Sequence, residues 1–106
     1  MTARNKGTHS QFLKVVFDVL PSSREAFIGL LESVQADLPT VPGCLGVRIF
    51  AHDDTPNRFT LIEEWDDRDL HQTHINGMVK SGAWTKIEAM LSQPPESQYL
   101  TPFEAV

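Results

Sequence analysis

Two strand-like segments joined by a short polar turn limit the folds open to this chain. Residues 44–52, CLGVRIFAH, and residues 58–65, RFTLIEEW, alternate side chains with the period of two that is typical of β-strands. Between them, residues 53–57 read DDTPN, and Asp, Pro and Asn are residues that favour turns. The two segments therefore predict a β-hairpin.

A strand and a helix are predicted before this hairpin. Residues 11–20 are rich in Val and Phe and predict a strand with one uniformly apolar face, which should contact helices. Ser22 and Glu25 have the spacing of a capping box. Apolar residues at helical intervals then predict a helix over about 23–38.

Two helical segments and a last strand are predicted after the hairpin. Apolar spacing indicates helices over about 68–76 and 80–91, with Gly77 as the interruption between them. Residues 97–106 predict a last strand, which Pro102 confines to a sheet edge or a bulge.

The resulting order, β-α-β-β-α-β, is that of the ferredoxin-like fold in the α+β class. It predicts a four-stranded antiparallel sheet with helices on one face. Residues 1–10 are polar and predict a flexible tail, so that residues 11–106 form a single domain. The other sheet face would remain uncovered, and its mixed apolar surface predicts a homodimer that stacks the two sheets, with the C-terminal strand crossing to the partner.

Composition argues against several kinds of partner and location. The net charge is -5 and the nine Lys and Arg residues are scattered, which argues against nucleic acid and against anionic membranes. No apolar run approaches the roughly 20 residues needed to span a bilayer, and the N-terminus lacks the apolar segment of a signal peptide. The single cysteine, Cys44, has no partner for an intramolecular disulfide. We expect a cytoplasmic protein.

Four short motifs follow one another along the chain: VPGCL at 41–45, DDxPNRF at 53–59, Glu63-x-Trp65 at the end of a strand, and His74 in the next helix. In this order and spacing they resemble the antibiotic biosynthesis monooxygenase (ABM) domain family of dimeric α+β barrels. The resemblance covers roughly residues 12–105. The family includes cofactor-independent oxygenases that act on polycyclic phenols or quinones, haem-degrading enzymes and a sugar-phosphate isomerase.

Glu63 and His74 are the candidate catalytic residues. Glu63 alternates with Leu61 and Trp65, and a carboxylate buried among such neighbours without a partner is unfavourable. His74 falls inside the apolar stripe of its predicted helix, where a structural histidine is the usual alternative. We hypothesise that His74 accepts a proton from the substrate and that Glu63 orients the imidazole or shuttles protons.

A substrate pocket is predicted between the helices and the apolar sheet face, suited to a flat apolar ligand. Its candidate lining residues are Phe17, Trp65, His71, Met78, Trp84, Ile87 and Met90. Arg48 is a candidate for binding an anionic group. For Trp65 and Trp84 the alternative is core packing, and for Arg48 it is an ion pair or a surface position.

The resemblance implies a monooxygenase in which the deprotonated substrate, a small aromatic or quinol-like molecule, reacts with oxygen without metal or flavin. We therefore expect no cofactor. The alternatives are an isomerase-like proton-transfer enzyme on a small keto or sugar-phosphate substrate, and a small-molecule-binding module without catalysis. His71 and His74 have the i, i+3 spacing of metal ligands, but surface or core placement is favoured over a metal site with Glu63. Haem degradation is disfavoured, because the Asn, Trp and axial His of haem-degrading relatives correspond here to Val16, His74 and Ala83.

Overall fold

We describe residues 10–103 of a computed structural model of the chain. The strands are β1 (Gln11–Asp18), β2 (Cys44–Ala51), β3 (Arg58–Trp65) and β4 (Glu96–Leu100), and the α-helices are α1 (Arg24–Asp37), α2 (Arg68–Ser81) and α3 (Ala83–Glu88). Single turns of 3₁₀-helix, Pro21–Ser23 and Leu38–Thr40, flank α1. This order confirms the predicted α+β, ferredoxin-like fold.

The four strands form one antiparallel sheet in the order β2-β3-β1-β4. β1 is central, and Leu13 lies between Glu63 of β3 and Tyr99 of β4. Two positions further along β1, Val15 lies between Leu61 and Ser97. Because side chains alternate across a sheet, all six of these side chains lie on one face.

This inner face carries the core. Leu13, Val15, Phe17, Phe59 and Leu61 are buried against the helices. Phe27 of α1 is fully buried, with its ring centroid 5.3 Å from that of Phe17 and 5.9 Å from that of Phe59. The apolar face predicted for the first strand is therefore confirmed.

The outer face, on the opposite side of the sheet, is mixed. Phe12, Lys14 and Val16 of β1 are half-buried, and Ile62 lies beside Lys14. Phe50 and Leu100 are exposed to 42% and 40%. No helix of residues 10–103 is long and apolar enough to cross a membrane.

The predicted interruption at Gly77 is wrong, because α2 continues through it to Ser81. A glycine inside a helix costs about 1 kcal/mol, and the packing of Met78 against the core offsets such a cost. The helix ends at Gly82, whose φ of 86° is accessible to glycine at little cost. At the other end, the Asp67 carboxylate accepts a hydrogen bond from the Leu70 backbone N–H at 2.9 Å.

Three further expectations need correction. The capping box at Ser22 is not formed, because Pro21–Ser23 already makes a 3₁₀ turn and Ser23 precedes α1 without a side-chain bond. The last helix is shorter than the predicted 80–91 and spans Ala83–Glu88. The last strand ends at Leu100, so that Pro102, which has no N–H for a strand ladder, lies outside it. The remainder of that predicted strand, 104–106, and residues 1–9 of the predicted tail lie outside the described residues.

Candidate functional site

A cavity of about 270 Å³ lies between the three helices and the inner face of the sheet. Most of its wall is apolar, with contributions from Phe17, Met78, Trp84 and Ile87, all of which were predicted to line a pocket. The polar side chains that line it include Glu63, His71, His74 and Tyr99. No lysine or arginine among residues 10–103 lines the cavity.

The polar groups gather at one end of this cavity. Glu63 and Tyr99 flank Leu13 in the sheet, and α2, which begins just after β3, carries His71 and His74 over the same end. Phe17, four residues further along β1 than Leu13, lines the cavity away from these groups. We call Glu63, His71, His74 and Tyr99 the polar end of the cavity.

Three predicted pocket residues do not line this cavity. Arg48 is exposed on the outer face, where it lies beside Ile62 and its guanidinium stacks over the Phe50 ring at 5.2 Å. Trp65 is fully buried and contacts the polar end from behind it. Met90 packs against the core, and its backbone carbonyl accepts a hydrogen bond from the Leu20 N–H.

Glu63 is a buried carboxyl group whose Oε1 accepts a hydrogen bond from the Trp65 indole N–H at 2.9 Å. Burial disfavours the charged form and raises the pKa of Glu63, an effect that the indole bond opposes. The carboxyl group therefore holds its proton to a higher pH than an exposed glutamate does, as predicted for a carboxyl among apolar neighbours.

His71 is the most buried histidine at the polar end, with 6% of its surface exposed. Its Nδ1 lies 2.6 Å from the Tyr99 hydroxyl oxygen, and its buried Nε2 has no hydrogen-bond partner among the described residues. Burial, followed by the nearby charge of His74, lowers the pKa of His71. The ring is therefore neutral at pH 7.

His74 is half-buried one turn further along α2. Its ring lies 5.5 Å from the Trp65 ring in a tilted arrangement. Burial lowers the pKa of His74, so that this imidazole is also neutral at pH 7 and can accept a proton.

Sequence reasoning missed Tyr99 and Gln72. The Tyr99 hydroxyl accepts a hydrogen bond from the Gln72 side-chain amide at 2.7 Å, and the Arg68 guanidinium stacks over the Tyr99 ring at 4.1 Å. Alternation along SQYL was the available signal, since it puts Ser97 and Tyr99 on one face of the last strand. The pairing of β4 with β1, which makes that face the inner one, is a long-range contact.

The described residues contain no cluster of metal ligands. Across residues 10–103, no three side chains of His, Cys, Asp or Glu converge in a way that would hold a metal ion.

Comparison with known proteins identifies the family. The profile of the antibiotic biosynthesis monooxygenase family matches residues 11–79, which is more than half of the chain. The chain belongs to this family. The match includes the segment that carries Glu63, His71 and His74 and ends before β4. No curated protein matches the chain in sequence.

Solved structures share the fold at low sequence identity. Rv0793 from Mycobacterium tuberculosis is 18% identical with a TM-score of 0.78, over 91% of this chain and 97% of its own. PA3566 from Pseudomonas aeruginosa is 22% identical with a TM-score of 0.77, over 91% and 96%. A further structure, described as an antibiotic biosynthesis monooxygenase, is 21% identical with a TM-score of 0.75, over 91% and 98%. These similarities confirm the ABM fold over nearly the whole chain.

Proposed function

We propose that this ABM-family chain is a cofactor-independent monooxygenase for a small, flat, largely apolar substrate such as an anthrone, a hydroxynaphthacene or a quinol. The observation that carries the proposal is the polar end of an otherwise apolar cavity, where two neutral imidazoles and a buried carboxyl group meet. Such a site combines binding of an apolar ring system with a base that can remove one proton.

His74 is the proposed proton acceptor. For an anthrone-type substrate, His74 removes a proton from the ring CH₂ group and leaves a carbanion stabilised by the aromatic rings. The carbanion transfers electrons to O₂ and forms a C–O bond, and the resulting peroxide takes the proton back from His74. Loss of water then gives a ketone, so that one oxygen atom enters the product and the other leaves as water.

An uncharged Glu63 favours the proposed proton transfer to His74. Because burial raises the pKa of Glu63, this carboxyl group stays uncharged to a higher pH than an exposed glutamate does, and in that state it places no negative charge beside the imidazoles. The proposed carbanion is therefore not opposed by a neighbouring carboxylate under those conditions.

The lining also bears on the alternative reaction. A sugar-phosphate substrate needs cationic side chains or clustered backbone amides, and among the described residues no Lys or Arg lines the cavity. This composition favours an uncharged substrate over a phosphorylated one.

Oxygen consumption tests the proposal. We expect enzyme-dependent O₂ uptake with at least one member of a panel of anthrones, hydroxynaphthacenes and quinols, measured against their spontaneous oxidation. His74→Ala should reduce the rate by roughly 10²- to 10⁴-fold, the range for a general base. His52→Ala is the matched control, because His52 bonds to Thr60 on the outer face.

Two results would contradict the proposal. Absence of O₂ uptake with the whole panel, with and without added flavin, would count against an oxygenase. Deuterium exchange into a keto substrate under anaerobic conditions, without O₂ uptake, would indicate the isomerase-like reaction instead.

We also propose that two copies of the chain stack their outer faces. The half-buried Phe12 and Val16 and the exposed Phe50 and Leu100 give this face apolar surface that a second sheet would cover. Light scattering should give the mass of a dimer, and Phe50→Glu should shift it toward the monomer. A wild-type monomer at micromolar concentration would contradict this arrangement.

A further inference from the structure

His71 has one ring nitrogen in a hydrogen bond and one without a partner among residues 10–103. Nδ1 lies against the Tyr99 hydroxyl at 2.6 Å, whereas Nε2 is buried and has no partner among residues 10–103. His71 itself lines the cavity. Buried polar atoms without a partner are uncommon and destabilising, and since His71 lines the cavity, a cavity ligand is a candidate partner for Nε2.

The hydrogen bonds around Tyr99 favour one tautomer of His71. The Gln72 amide nitrogen donates to the Tyr99 oxygen at 2.7 Å, so that this oxygen already accepts one bond. The hydroxyl proton of Tyr99 is then free to point at His71 Nδ1, which accepts it. A neutral imidazole has one N–H, so with Nδ1 as acceptor that N–H is on Nε2.

We infer that His71 donates a hydrogen bond from Nε2 to an oxygen atom of the cavity ligand, and that Tyr99 and Gln72 are positioning residues that hold this tautomer. This inference rests on the proposed function and narrows its substrate class. The ligand must carry a carbonyl or phenolate oxygen, and that oxygen must reach the polar end of the cavity.

The bond has a specific role in the proposed reaction. When His74 removes a proton from the CH₂ group of an anthrone, the negative charge spreads through the rings to the carbonyl oxygen and produces an enolate. A donor already aimed at that oxygen stabilises the charge as it develops. His71 and His74 are three residues apart on α2, the spacing at which helical side chains are neighbours, so one small ring system can contact both.

Binding of a matched ligand pair tests the donor. 1-Tetralone and tetralin are the same bicyclic ring system with and without a carbonyl oxygen, and calorimetry gives the ratio of their dissociation constants. We expect this preference for the ketone to be about tenfold larger in the wild type than in His71→Phe, because the ketone satisfies a buried donor that tetralin leaves unpaired.

Substitution of His71 by glutamine or asparagine distinguishes the contribution of Nε2 to ligand binding from that of Nδ1. A glutamine side chain reaches about as far as Nε2, and an asparagine side chain reaches only about as far as Nδ1. His71→Gln should therefore retain most of the ketone preference, and His71→Asn should lose it. A ketone preference that is equal in the wild type and His71→Phe, or absence of 1-tetralone binding, would overturn the inference.

The tautomer can also be read without any substitution at His71. Long-range ¹H–¹⁵N spectra of the unmodified protein should show His71 with a protonated Nε2 and an unprotonated Nδ1. In Tyr99→Phe, which removes the hydroxyl but keeps the ring, the two nitrogen signals should move toward each other as both tautomers become populated. A protonated Nδ1 in the wild type would overturn the donor role, and an unchanged tautomer in Tyr99→Phe would overturn the positioning role.

These measurements are independent of turnover. A ketone preference that depends on His71, without O₂ uptake from any substrate, would contradict the proposed oxygenase and leave the ligand class intact. O₂ uptake without a ketone preference that depends on His71 would support the proposed oxygenase and overturn the donor role of His71.

Discussion

Two carboxyl groups on opposite faces of the same sheet have opposite pKa shifts. Glu63, on the inner face, is buried with one neutral donor, the Trp65 indole, and burial raises its pKa. Asp18, on the outer face, accepts hydrogen bonds from the Arg58 guanidinium at 2.7 Å and from the Gln93 amide at 2.6 Å. The Arg58 hydrogen bond is the main cause of the lowered pKa of Asp18.

The two faces of the sheet therefore differ in how they accommodate ionisable groups. On the outer face, Asp18 and Arg58 form an ion pair beside solvent. On the inner face, titratable groups are buried without opposite charges, an arrangement that is unfavourable for stability and common where proton transfer takes place. Three groups with shifted pKa values, Glu63, His71 and His74, line the same cavity on the inner face.

The largest expected contrast between the faces is in packing. Phe27→Ala should lower the free energy of unfolding by about 3–5 kcal/mol, because the ring is fully buried against Phe17 and Phe59. Phe50→Ala on the outer face should cost less than about 1 kcal/mol at low protein concentration, since its main ring contact is an exposed Arg48 guanidinium. Urea unfolding curves give both values.

The same pair of variants also tests the dimer. If the outer faces stack, the cost of Phe50→Ala should increase with protein concentration, because a dimer is stabilised by mass action. Equal costs for the two variants at low concentration would contradict the division between a packed inner face and an open outer face.

The second contrast is in pH dependence on the inner face. The raised pKa of Glu63 means that the folded state holds this proton more tightly than the unfolded state does. Its contribution to stability is present below the ordinary glutamate pKa and is lost as pH rises through the raised value. Glu63→Gln should therefore gain stability relative to the wild type as pH rises through this window. Thermal unfolding from pH 4 to pH 8 measures the stability of Glu63→Gln minus that of the wild type. A difference that stays constant over this range would show that Glu63 ionises in the fold without penalty and would contradict the raised pKa.

The smallest expected effect is on the outer face and has the opposite sign. The lowered pKa of Asp18 stabilises the fold above the ordinary aspartate pKa, and this contribution is lost as pH falls through the lowered value. Arg58→Gln should cost below about 1 kcal/mol at pH 7, because the pair is partly exposed to solvent. The cost should disappear as the pH is lowered toward 2. A cost that persists there would mean that Arg58 acts through packing.

Local patterns predicted much of this arrangement from the sequence. Alternation along RFTLIEEW put Glu63 on the apolar face, and helical spacing put His74 in the apolar stripe of α2. Both lie at the polar end of the cavity, although their chemical roles stay predictions. The element order predicted the ferredoxin-like fold, with its four-stranded antiparallel sheet and its helices on one face.

What the sequence did not predict depends on contacts between distant residues. Tyr99 reaches His71 only because β4 pairs with β1, 80 and more residues away along the chain. Arg48 was a pocket candidate, and the pairing of β2 with β3, which sets Arg48 beside Ile62, shows that its face of β2 is the outer one. Helix α2 continues through Gly77 because the packing of Met78 against the core outweighs the low helix propensity of glycine.

The pH dependence of O₂ uptake tests the central claim, that a neutral His74 on the inner face removes the substrate proton. Burial lowers the pKa of His74 from its ordinary value of 6.5, so the rate with an accepted anthrone should rise with pH to a plateau, with the midpoint of this acid limb below pH 6.5 in the free enzyme. His74→Gln should lose both the limb and most of the rate, and His52→Ala should keep both. An acid limb that is unchanged in His74→Gln, or a midpoint above pH 6.5 in the wild type, would contradict the account.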